Sequence, residues 1–216
     1  MKLEGKKVYF LGDSITEGAG ASCEEARYTE VLKRTAGLSA IKNFGIGGTR
    51  IARQQTIHSD TYHYDVNSFC ERFAQMDNDA DIVVVFGGTN DYGHGDAPFG
   101  SFEDRTMDTF CGALHYLMRG LIEKFPEAEI VFLTPLHREN DTTPNSSNKL
   151  CLKAYVDQIK KTAEYYSMPV LDLFSMSGIQ PDIPVHKEKF CPDGLHPNDA
   201  GNEKIANRLK NFLEAL

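Results

Sequence analysis

A serine closes an apolar run near the start of the chain. Val8 to Gly18 reads V-Y-F-L-G-D-S-I-T-E-G, and the run ends abruptly in Gly12-Asp13-Ser14. A serine hydroxyl attacks a carbonyl only when a base takes its proton, so the residue raises the question of a partner. Seven histidines are available: His58, His63, His94, His115, His137, His186 and His196. His196 stands out because C-P-D-G-L-H-P-N, Cys191 to Asn198, places Asp193 three residues before it and Gly194 between them. A D-x-x-H step in a tight turn brings a carboxylate to the imidazole Nδ1 and leaves Nε2 to accept a proton. The same octapeptide is equally an ordinary turn and N-cap before a helix that happens to expose a histidine. His115 lies beside the apolar face of a helix and reads as structural.

These residues need elements to bring them together. Strand-like and helix-like segments alternate along the chain. Lys7–Leu11, Ala40–Phe44, Asp81–Phe86, Glu129–Thr134 and Pro169–Leu173 read as strands. Asp81–Phe86, D-I-V-V-V-F, is β-branched without alternation and is expected to be buried on both faces. Glu24–Thr35, Val66–Met76, Met107–Phe125, Leu150–Tyr166 and Asp199–Leu216 read as helices. Met107, Phe110, Cys111, Leu114, Leu117, Met118, Leu121, Ile122 and Phe125 form one apolar face at helical period, and Pro126 ends it. Repeated strand–helix alternation implies crossover connections, hence an α/β fold of three layers with a five-stranded parallel sheet, flavodoxin-like in arrangement. No linker, repeat or low-complexity tract divides residues 1–216, which read as one domain. Ligands of such sheets bind beyond the carboxyl ends of the strands. Three polar loops fall there: Gly12-Asp13-Ser14, then Gly45-Ile46-Gly47-Gly48, then Gly87-Gly88-Thr89-Asn90-Asp91. Gly-rich turns after strands are commonly turn chemistry alone, and three at one edge are a candidate site. A sheet with such loops is also compatible with a module that binds a flavin or phosphate. The chain, however, lacks G-x-G-x-x-G after its first strand and lacks a P-loop lysine motif.

Taken in order, G-D-S (Gly12–Ser14), N-F-G-I-G-G-T (Asn43–Thr49), G-G-T-N-D (Gly87–Asp91) and D-G-L-H-P (Asp193–Pro197) resemble the four blocks of the SGNH hydrolases, also called GDSL esterases and lipases. The resemblance spans nearly the whole chain. It implies the SGNH hydrolase fold, Ser14 as nucleophile, His196 as general base and Asp193 as its orienting acid. It further implies an oxyanion hole from the backbone N–H groups of Ser14 and Gly48 and the side-chain amide of Asn90. Ile15 replaces the leucine of the family's name-giving motif. Thr49-Arg50 follows Gly48 where relatives often carry an acidic residue, and the count of five from Asn43 selects Gly48 over Gly47. Asp13 and Asp91 read as scaffold for their loops, with Asp13 also a possible substrate contact.

Composition narrows the class. Net charge is −8, from 31 acidic and 23 basic residues, which argues against nucleic acid or an anionic membrane surface as the main partner. Hydrophobic residues make up 41% and charged residues 25%, ordinary for a soluble globular protein. The five cysteines include no C-x-x-C pair, so free thiols are expected. No metal or cofactor is implied. No stretch approaches the length needed to span a bilayer and no secretory h-region follows the N-terminus, so a cytoplasmic enzyme, monomer or homodimer, is expected. The family covers acetylated sugars, short-chain esters, lysophospholipids and thioesters. Without an inserted lid or a basic amphipathic helix, a small water-soluble ester is the favoured substrate, with a lysophospholipid or thioester as the alternative. Tyr62 in Ile57–Asp65, Tyr92, and His137 in the long polar stretch His137–Lys149 are possible substrate contacts, although each is equally an ordinary loop residue.

Overall fold

A computed structural model of the chain describes residues 1–55 and 67–216. The five apolar runs become β1 (Lys7–Gly12), β2 (Ala40–Gly45), β3 (Ile82–Phe86), β4 (Glu129–Leu133) and β5 (Val170–Leu171). They form one all-parallel sheet in the order β2-β1-β3-β4-β5. Successive residues of a strand point to opposite faces, and here both faces are apolar. Tyr9, Leu11, Val83, Val85, Ile130 and Phe132 form one core with α3 (Phe69–Arg72), α5 (Phe110–Lys124) and α6 (Leu152–Tyr165). Val8, Phe10, Ile82, Val84, Val131 and Leu133 form the other with α1 (Ser14–Glu17), α2 (Tyr28–Ala36) and α9 (Asp199–Ala215). The result is the three-layer α/β/α arrangement expected. All five residues of β3 are buried, as its unbroken β-branched run requires.

Register matters for the site. Gly12 lies opposite Gly45 of β2 on one side and Phe86 of β3 on the other. Three chains therefore leave the sheet at one level. Short α4 (Thr89–Gly93), α7 (Leu173–Met176) and α8 (Pro184–Phe190) complete the elements among the described residues.

Three expectations shift, and helix α8 was not expected. Glu24–Ala26 is a 3-10 turn and the helix proper starts at Tyr28, because Arg27 is extended. The strand expected over Pro169–Leu173 shrinks to Val170–Leu171, because Asp172 accepts from Ser175 N and starts α7. Of the helical stretch expected over Val66–Met76, Val66 lies outside the described residues and the rest holds one turn, α3, followed by a 3-10 turn; Ser68 and Glu71 close the start of α3 as a capping box. Helix α8 has no apolar period, and its signal is Pro184 in the first turn. The five cysteines are free thiols. Among the described residues no helix is long and apolar enough to cross a membrane.

Candidate active site

The turn after β1 is built around a close approach. A methyl group at Gly12 would lie 2.0 Å from the Thr16 hydroxyl oxygen, so only glycine lets α1 fold back over the strand end. Asp13 caps α1: its Oδ1 accepts from Ile15 N at 3.0 Å. Burial pushes the Asp13 carboxyl up to about 7, with the Ile15 N–H opposing; nearby Asp91 adds to the rise and Arg72 reduces it. Asp91 is raised by burial to about 6 and accepts from Ile51 N and Ala52 N, both at 3.0 Å. Both acids tie loops in place. Ser14 follows as the first residue of α1, and its backbone N–H has no protein partner among the described residues.

The loop between α8 and α9 carries the other half. Ser14 Oγ is 3.0 Å from His196 Nε2, and His196 Nδ1 is 2.6 Å from Asp193 Oδ2. Asp193 uses its second oxygen locally: Oδ1 accepts from Leu195 N at 2.8 Å and His196 N at 2.7 Å. Burial would raise this carboxyl; the His196 and Leu195 N–H groups and the imidazole outweigh it and hold the carboxyl below its ordinary value. Gly194 takes a φ of +80°, the left-handed conformation that the D-G-L-H turn needs. Its carbonyl accepts from Glu139 N at 2.8 Å, and Lys187 pairs with the Glu139 carboxylate. Buried Asn202 receives the Tyr28 N–H and donates to the Pro197 carbonyl, which fastens the loop to α2.

The loop after β2 supplies a distinction that residue counting could only suggest. Gly47 N donates to Glu17 Oε2 at 2.8 Å and is consumed. Gly48 has a φ of +76° and its N–H has no protein partner among the described residues. Asn90, on α4, donates from Nδ2 to the Thr49 carbonyl at 3.0 Å, and His94 Nε2 is 3.1 Å from its Oδ1. One Asn90 N–H therefore has no partner among the described residues. Three donors, on Ser14, Gly48 and Asn90, are thus available beside the Ser14 loop.

Buried Arg72 holds these loops together. Its Nη2 donates to the Gly12 carbonyl at 3.0 Å and to Thr49 Oγ1 at 2.8 Å, and Nη1 donates to the Phe44 carbonyl at 2.5 Å. Burial lowers the guanidinium to about 10, against the pull of Asp13 and Glu17. Sequence reading missed it, since an arginine in a helical stretch resembles a solvated one.

The possible substrate contacts fare differently. Asp13 is buried and engaged in capping. The Tyr92 hydroxyl lies 2.8 Å from the carbonyls of both Asn140 and Thr143, which ties α4 to the 137–149 loop. His137 Nδ1 is 2.6 Å from the buried Asp141 carboxylate, and its ring lies against Phe174 at a centroid distance of 3.7 Å. It lines a cavity with Lys153, Phe174, Ser175 and His186, whose lining includes none of Ser14, Asp193 and His196. Arg138 bridges the loops instead: Nη1 donates to the Thr89 carbonyl at 3.3 Å, with the guanidinium over the Tyr92 ring. Tyr62 lies outside the described residues.

Comparison with known proteins places this architecture. The family model of the GDSL-like lipase/acylhydrolase family matches residues 10–204, and the chain belongs to that family. Membership implies hydrolase activity. A protein from Lactobacillus plantarum of known structure is 31% identical, with a TM-score of 0.84 and 98% of each chain covered. A lipase/acylhydrolase from Enterococcus faecalis shares the fold at 20% identity and a TM-score of 0.67, covering 97% of this chain and 96% of its own. A two-domain esterase active on acetylated mannans shares it at 20% identity and a TM-score of 0.63, covering 99% of this chain and 50% of its own. No curated protein matches.

Proposed function

We propose that the chain is a serine-dependent carboxylic ester hydrolase that works through an acyl-enzyme intermediate. The observation that carries this reading is the continuous relay from Ser14 Oγ through His196 to Asp193, at 3.0 and 2.6 Å. Ser14 gives its proton to His196 Nε2 as Oγ attacks the ester carbonyl. Asp193 holds the Nδ1–H and stabilises the imidazolium that forms. The carbonyl oxygen becomes an oxyanion, and the N–H groups of Ser14, Gly48 and Asn90 take up its charge. Losing one such donor typically costs about 3 kcal/mol of barrier. His196 then returns its proton to the departing alcohol, and water releases the acyl group by the same steps in reverse order.

The substrate we assign is a small water-soluble ester, short-chain acyl or an O-acetylated carbohydrate. The acidic balance of −8 disfavours an anionic lipid surface. Acetylated mannans are the substrate of one neighbour in fold. No metal or cofactor enters the mechanism.

The test is hydrolysis of p-nitrophenyl esters from acetate to decanoate, beside Ser14→Ala. Fast acetate cleavage that disappears in Ser14→Ala is expected. Absence of cleavage at every chain length, with Ser14 unreactive to a fluorophosphonate, overturns the proposal.

A further inference from the structure

We infer that His94 is a positioning residue for the oxyanion site: its imidazole Nε2–H holds the Asn90 carboxamide in the one orientation that presents an N–H, and not the oxygen, to the reacting carbonyl. The inference rests on the esterase reading above.

Hydrogen-bond logic fixes the orientation. The Thr49 carbonyl can only accept, so the atom 3.0 Å from it must be the Asn90 nitrogen. The oxygen of the same amide then faces His94 Nε2 at 3.1 Å and can itself only accept. Nε2 must therefore carry the proton. A half-turn of the amide would set two oxygens against each other at Thr49. It would also aim the Asn90 oxygen at the position where negative charge develops.

Thr49 alone is a loose guarantee, because the terminal torsion of asparagine is broad and roughly two-fold. His94 supplies the second anchor through its spacing. Asn90 and His94 are four residues apart across the single turn of α4, and His94 N donates to the Asn90 carbonyl at 3.0 Å. Side chains at that spacing meet on one helix face. The histidine's own backbone is held in turn. Arg50 is buried, reaches the His94 carbonyl from Nη2 at 3.5 Å, and donates from Nη1 to the Gly48 carbonyl at 3.2 Å. One guanidinium thereby links the loop of the Gly48 donor to the residue that aims the Asn90 donor.

A double-mutant cycle tests this. With p-nitrophenyl acetate, His94→Ala is expected to lower kcat about tenfold, the usual weight of one neutral hydrogen bond, with KM within about twofold. His94→Gln, whose amide N–H sits at the same bond count from Cβ as the imidazole Nε2, is expected to recover most of the loss. In an Asn90→Ala background His94→Ala is expected to change kcat by less than about twofold. The rate at which a fluorophosphonate labels Ser14 gives the same comparison without an ester. Nitrogen NMR of the His94 ring at pH 8 should find the proton on Nε2. Equal tenfold losses in both backgrounds, a change in KM alone, or an unprotonated Nε2 overturns the positioning role while leaving the esterase reading intact. A wild-type chain that neither hydrolyses nor labels overturns the esterase reading and the oxyanion role together.

Discussion

Asp193→Asn separates two jobs that one carboxylate performs. Oδ1 receives the N–H groups of Leu195 and His196 at 2.8 and 2.7 Å and shapes the turn. Oδ2 receives the imidazole Nδ1–H at 2.6 Å. Asparagine keeps an oxygen for the first job and places an NH2 where the second was done. A donor facing Nδ1 makes that nitrogen accept and moves the ring proton to Nε2. Nε2 then has no lone pair for the Ser14 hydroxyl 3.0 Å away. In the chymotrypsin triad the wrong tautomer costs about 10⁴ in kcat. Asp193 is half exposed, 54% of its side-chain surface, so water competes for Nδ1 and supports some of the productive tautomer. The expected fall is therefore nearer 10³, about 4 kcal/mol at 1.36 kcal/mol per decade. Stability should hold to within about 1 kcal/mol, because the turn keeps both backbone bonds. Asp193→Ala loses those bonds as well, and should match the fall in kcat while also lowering the urea midpoint. The assay is kcat for p-nitrophenyl acetate at pH 8 on both variants, beside urea unfolding. An Asp193→Asn enzyme with more than a tenth of wild-type kcat would refute the tautomer reasoning.

Two further outcomes follow from buried charges. Asp13, raised to about 7 on folding, holds its proton more tightly in the native state than in the unfolded chain. Its contribution therefore favours folding in acid and is lost as pH rises through about 7. Between pH 5.5 and 8 this costs the wild type about 2 kcal/mol that Asp13→Asn, which keeps the oxygen for Ile15 N, does not lose. His115, lowered by burial and by Arg105, acts in the opposite sense but cancels between the two proteins. An equal change in unfolding free energy for both would contradict the assignment. Arg72→Met takes the guanidinium donor from the Phe44 carbonyl and Thr49 Oγ1, leaves the Gly12 carbonyl with the Ile46 N–H at 3.1 Å, and removes the cation that opposes the rise of Asp13; it is expected to destabilise the fold by about 2–3 kcal/mol in urea unfolding. A loss below about 1 kcal/mol would show that those groups find other partners.

Much of this was legible in the residues, for reasons that can be named. The sheet followed from runs such as Ile82–Phe86, where the absence of alternation requires burial on both sides. Ser14, Asp193 and His196 were legible because each sits in a local turn chemistry: a glycine that permits close approach, and a D-x-x-H step that closes within one loop. Glu17 and Arg72 were not. Both act on main-chain groups of distant residues, and every residue carries such groups, so no pattern marks the partners. Tyr92 was misleading for a related reason. An aromatic hydroxyl two residues after Asn90 suggests a ligand contact, yet carbonyls of a loop about fifty positions away surround it. The short elements α7 and α8 escaped because a helix of one or two turns has too few residues to express a period.

The arrangement also explains why four short motifs so far apart must occur together. Gly12, Gly45 and Phe86 share one level of the sheet, and Ser14, Gly48 and Asn90 follow that level by two, three and four residues. In a parallel sheet with two buried faces, slipping β2 or β3 by one residue would exchange its inward and outward side chains. It would also carry its donor about 3.3 Å along the strand direction, beyond hydrogen-bond reach of any oxyanion held at Ser14. The two cores therefore fix the relative positions of these three donors as firmly as the loops do. His196 has no strand to set its level. Its loop is instead tied at Gly194 to Glu139, at Pro197 to Asn202, and at Asn198 to the start of α9. Those ties run to elements following β4, to α9 and, through Asn202, to α2. Strand register places the Ser14, Gly48 and Asn90 donors, and helix packing places His196.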